Sequence, residues 1–132
     1  MANLLVPSSK YLLGAIIWTI TIAVLCLESS SDLPSVKVVG IDKIVHVTFH
    51  FVFVNLWCLF FVNNNFTKYF SNLVTKTFFL SLGYGILIEI AQQLFTKTRQ
   101  ADVLDVLANI TGAILAVILI KILSQRKKNS LI

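Results

Sequence analysis

Residues 103–120 read VLDVLANITGAILAVILI, in which Asp105 is the only charged side chain. At ~1.5 Å of rise per residue a helix over this stretch reaches about 27 Å, close to the ~30 Å thickness of a bilayer's hydrocarbon core. Backbone groups in lipid must be satisfied within their own segment or in a closed barrel, and a barrel needs many short strands of alternating polarity. This stretch has no such alternation. It is expected to cross the membrane as a helix.

Three further stretches have the same character: Tyr11 to Leu27, Ile44 to Val62 and Thr75 to Phe95. With 57% hydrophobic and 13% charged residues, the chain is far more apolar than a soluble domain of its size. The expected fold class is all-α: an integral membrane bundle of four transmembrane helices over residues 11–27, 44–62, 75–95 and 103–120. A single domain is expected over residues 1–132, ending in a basic tail at 121–132. The first stretch follows Lys10 and precedes Ser29 to Ser31, as in a cleaved signal, but Leu25 and Leu27 are too bulky for a cleavage site. An uncleaved first helix is the expectation. Cys26 and Cys58 fall at different depths, too far apart for a disulfide, and are expected to be lipid-facing or packed apolar groups.

Threading four spans through a bilayer places Lys10, Lys68, Lys76, Lys121, Arg126, Lys127 and Lys128 on one side and Lys37, Lys43, Lys97 and Arg99 on the other. The more basic side is the cytoplasmic one, so both termini are expected in the cytoplasm. The pI near 9.4 reflects mainly this asymmetry, above all Arg126-Lys127-Lys128 beyond the last span. It implies an anchor at the membrane surface and no nucleic-acid partner; the expected partner is the lipid bilayer. All six acidic residues, Glu28, Asp32, Asp42, Glu89, Asp102 and Asp105, fall on the opposite, outward side.

Asp42, His46 and His50 recur every fourth residue along one face of the second span. Asp42 suits a helix N-cap, and Lys43 can extend its ammonium to the interface. Glu89 lies six residues before Phe95, roughly 9 Å inside the third span. A lone charge there costs on the order of 2.5–3.5 kcal/mol, so it requires a partner, water or neutralisation. Gln92 and Gln93 follow it on the same stripe. In the fourth helix Asp102, Asp105, Asn109 and Gly112 form one seam. Asp102 suits the N-cap and Asp105 the first turn, where the helix dipole favours an anion. Asn109, a turn deeper, needs a partner on another helix. Gly112 and Ala116 read as a close helix contact. Arg99, in the short turn between the third and fourth spans, suits a carboxylate or a ligand's phosphate. His46, Glu89, Gln92, Arg99, Asp105 and Asn109 are expected to converge near the outer surface, above inner halves that are almost purely apolar.

These motifs resemble those of the VanZ-like family: Asp42-Lys43-x-x-His46, Glu89-x-x-Gln92 and Arg99-x-Ala101-Asp102-x-x-Asp105-x-x-Ala108-Asn109-x-x-Gly112. The resemblance extends from Asp42 to Ala116, with Ala116 standing where the family often has a second glycine. It implies a protein of the bacterial cytoplasmic membrane, related to one linked to resistance to the glycopeptide teicoplanin. It implies no reaction.

Three functions are weighed. In the first, the outward site recognises an anionic headgroup or a lipid-linked cell-wall precursor, with Arg99 and Lys43 as anion contacts and Asp42, His46, Glu89, Gln92, Asp102, Asp105 and Asn109 completing the ligand-binding set. In the second, the chain is an intramembrane hydrolase or transferase. His46, Glu89 and Asp105 are then the catalytic candidates, with His46 as base or all three as ligands of a divalent metal. No sequence-local metal signature is present, and no cofactor is expected beyond that metal. In the third, the polar groups lock the helices together in a scaffold for envelope enzymes.

Overall fold

The computed structural model describes residues 8–28, 40–64, 70–96 and 102–129. They form α1 (Ser8–Leu27), α2 (Ile41–Asn64), α3 (Phe70–Phe95) and α4 (Val103–Asn129). All four are long and apolar enough to span a membrane, with mean hydropathies from 1.5 to 2.4. Among the described residues there is no strand. The molecule is a four-helix, multi-pass membrane protein, as the apolar stretches predict.

Large apolar side chains cover the outside. Leu13, Ile17, Leu87, Leu104 and Leu107 are each more than half exposed, an arrangement suited to lipid and costly in water. Thr21, Thr48 and Thr111 sit among such residues because each hydroxyl donates to the carbonyl four residues back.

The ends of α1 and α3 and the starts of α2 and α4 share one end of the bundle. There Gln92 reaches Cys26, His46 reaches Asn109 and Glu89 reaches Asp102. Consecutive helices therefore run in opposite directions. The most extensive pairing is α2 with α4. A Cβ on Gly112 would collide with the Val47 carbonyl oxygen and lie 2.9 Å from its carbon, so only glycine permits this approach. Ala116, one turn on, is fully buried in the core beside Ile22, Phe53, Val54 and Ala113. Alanine at this position still packs tightly. Phe53 stacks on Tyr84 at 5.3 Å, and Trp18 packs edge-on to Phe49 while donating to its carbonyl oxygen. Cys26 and Cys58 are buried in two separate apolar clusters.

The helices outrun the expected stretches: α1, α2 and α3 start at Ser8, Ile41 and Phe70, and α2 and α4 end at Asn64 and Asn129. α2 starts at Ile41, so Asp42 lies within the first turn and is not its N-cap. Gly40 takes the position ahead of the helix: its φ of 82° suits glycine, and its carbonyl accepts from Ile44 N. α4 continues to Asn129, carrying Lys121 and Arg126 on helix where only a tail is expected.

Candidate functional site

Lys43, in the first turn of α2, meets three carboxylates. Its Nζ lies 2.9 Å from Asp42 Oδ2, 2.7 Å from Asp102 Oδ2 and 2.6 Å from Asp105 Oδ1. An ammonium has three N–H bonds, so its charge is already taken up by the protein. Asp102 also caps α4, accepting from Leu104 N through Oδ1 at 2.8 Å, as its position in the sequence predicts. The Lys43 ammonium, with help from the Leu104 N–H, holds the Asp102 carboxyl below its usual pKa.

One turn deeper the groups are almost fully enclosed. His46 is 3% exposed and Glu89 3%, with Asp105 at 9% and Asn109 at 2%. His46 Nδ1 lies 3.0 Å from Asn109 Oδ1, an oxygen that only accepts, so this ring nitrogen carries the proton. Nε2 then faces Asp105 Oδ2 at 3.6 Å. Glu89 Oε2 accepts from the Asp102 backbone N–H at 3.3 Å, answering one of the unpaired donors at the start of α4. Its other oxygen, Oε1, is buried with no hydrogen-bond partner among the described residues, 4.0 Å from His46 Nδ1. Asp105 Oδ1 likewise accepts no well-directed hydrogen bond, yet at 2.6 Å from Lys43 Nζ it is ion-paired and not orphaned. Asn109 Nδ2 has no hydrogen-bond partner among the described residues and sits where a Cβ on Gly85 would approach to 2.9 Å. Glycine at position 85 makes room for both Asn109 and His50.

The structure thus brings together Asp42, Lys43, His46, Glu89, Asp102, Asp105 and Asn109, from three helices, at one end of the bundle. Exposure falls along the way in: the Asp42, Asp102 and Lys43 side chains retain 50%, 40% and 30%, while His46 and Glu89 are sealed. Gln92 is buried but spends its amide N–H on the Cys26 carbonyl, one of the orphan acceptors in the last turn of α1. Gln93 is exposed despite its place on the same stripe. Arg99 lies outside the described residues.

Sequence reasoning missed a second polar tier. His50, on the same face of α2 as His46, pairs through Nδ1 with Ser81 Oγ at 2.7 Å, and both are buried. Beside them Tyr84 donates to the Thr19 carbonyl and Trp57 to the Thr19 hydroxyl. The polar layer therefore reaches mid-bundle, deeper than expected. Only His50 carried a signal, through its spacing from His46. A groove between α3 and α4, walled by Val74, Phe78, Ile114 and Ile118 with Lys121, belongs to the opposite end and touches none of these groups.

Among the described residues, the cluster combines four carboxylates with a single ammonium and one imidazole. It suits holding a proton or a cation in a place reached from one end of the bundle. A family model described as VanZ/LLP1 matches residues 6–124. No curated protein and no solved structure matches the chain.

Proposed function

The chain belongs to the VanZ/LLP1 family, and from that premise we propose that it is a protein of the bacterial cytoplasmic membrane whose polar site holds the headgroup of an envelope lipid or lipid-linked wall precursor. In this reading both termini are cytoplasmic, the site opens outward, and its occupancy alters susceptibility to glycopeptides such as teicoplanin. One observation carries the proposal: His46, Glu89 and Asp105, from three helices, meet beneath the partly exposed Asp42, Lys43 and Asp102 side chains, and Glu89 Oε1 is buried with no hydrogen-bond partner among the described residues. A purely structural lock would be expected to pair that atom, because burial of an unpaired polar group is costly.

Lys43 is held by three carboxylates, so it orders the mouth of the site in preference to contacting an anion directly. Arg99, close in sequence to Asp102, takes the role of anion contact in this proposal. The test is expression in a teicoplanin-susceptible Gram-positive host, with membrane abundance measured beside the inhibitory concentration. The wild type raises that concentration, and Glu89→Gln, Asp105→Asn and Arg99→Ala return it to the vector level at equal abundance. Full resistance in all three variants would overturn the reading.

A further inference from the structure

We propose that His46, Glu89 and Asp105 bind a single divalent transition-metal ion of the Zn²⁺ or Mn²⁺ type. One donor atom from each residue lies within 4.8 Å of the other two. Neighbouring donors on a tetrahedral or octahedral ion at about 2.0–2.2 Å sit roughly 3.0–3.6 Å apart, so side-chain movement of about an ångström closes the set. All three side chains are buried.

Three features point to a ligand beyond the acidic cluster itself. Glu89, 3% exposed, aims Oε1 into the gap with no hydrogen-bond partner among the described residues, while Oε2 is tethered to the Asp102 N–H. His46 Nδ1–H donates to Asn109 Oδ1, and Nε2 faces Asp105 Oδ2 at 3.6 Å. This is the arrangement of metal sites in which a second residue holds one ring nitrogen and turns the other towards the ion. Charge argues the same way. Among the described residues Asp42, Asp102 and Asp105 share one ammonium and Glu89 contacts none, and charge in a membrane interior is stabilised by a counter-ion. One imidazole and two carboxylates favour a borderline or hard divalent ion over a thiophilic one. The inference goes beyond the headgroup proposal and is independent of it, since metal binding is read on purified protein and headgroup binding in cells.

The test uses full-length chain without a polyhistidine tag, purified in detergent, stripped with chelator and dialysed against Zn²⁺ or Mn²⁺. The expected result is one retained equivalent of one of these metals and a rise in the thermal unfolding midpoint of the wild type. Glu89→Gln and Asp105→Asn lose both responses. Asn109→Ala, which removes only the group orienting His46, weakens affinity by about tenfold or more. Should Glu89→Gln misfold without metal, His46→Gln and Asp105→Asn carry the same comparison. The proposal is overturned if the wild type retains no stoichiometric metal and its midpoint does not move, or if folded variants bind as well as the wild type does.

Discussion

His46 Nδ1 and Asn109 Oδ1 are 3.0 Å apart across the α2–α4 contact, and this hydrogen bond orients the ring so that Nε2 faces Asp105 Oδ2. Interhelical hydrogen bonds in membranes average about 0.6 kcal/mol and reach about 1.7. Asn109→Ala should cost an amount in that range. Unfolding in mixed micelles measures it; a loss near zero would mean that the imidazole is held by its packing alone.

The α2–α4 contact rests on Gly112. In a helix Gly→Ala is worth up to about 1 kcal/mol of added stability. At Gly112 the new methyl would strike the Val47 carbonyl, whereas at Gly83 it would meet nothing within 4 Å. Gly112→Ala is therefore expected to destabilise by about 1–3 kcal/mol, as overpacking does, and Gly83→Ala to be neutral or stabilising. Equal effects at the two sites would show that the helices do not approach as described.

Gln92 belongs to the scaffold in this structure, since its amide answers the Cys26 carbonyl. Replacing it with leucine should cost about 1 kcal/mol and lower membrane abundance, leaving glycopeptide susceptibility per molecule unchanged. Loss of activity at full abundance would move Gln92 into the site.

Lys43 is the shared counter-ion of Asp42, Asp102 and Asp105. Lys43→Met should lower the unfolding midpoint, and adding Asp105→Asn should restore part of the loss, because the orphaned charge goes with it. A coupling of at least about 0.5 kcal/mol is expected from a double-mutant cycle. Additive effects would contradict the shared ion pair.

Much of this site was legible because charge and carboxamide side chains are conspicuous in apolar helices. The Asp105, Asn109, Gly112 seam follows from helical spacing alone, and Glu89 stands out by its depth. Other features depend on tertiary contacts that no local pattern encodes. Gln92 and Gln93 flank one stripe, and spacing cannot tell which is buried; the end of α1 decides in favour of Gln92. Asp42 had the chemistry of a cap, but the positive φ of Gly40 starts α2 earlier. Ser81 resembles any small residue in a membrane helix until His50 is seen 2.7 Å away.

In the proposed orientation the acid-lined end of the bundle faces the outside of the cell. Glu28, at that end, and Gln125, near the end of α4, are both exposed, and native Cys26 and Cys58 are buried. Glu28→Cys and Gln125→Cys, each treated on intact cells with a membrane-impermeant maleimide, test the orientation directly. The proposed orientation predicts labelling of Glu28→Cys in intact cells and of Gln125→Cys only after permeabilisation; the reverse pattern would contradict it.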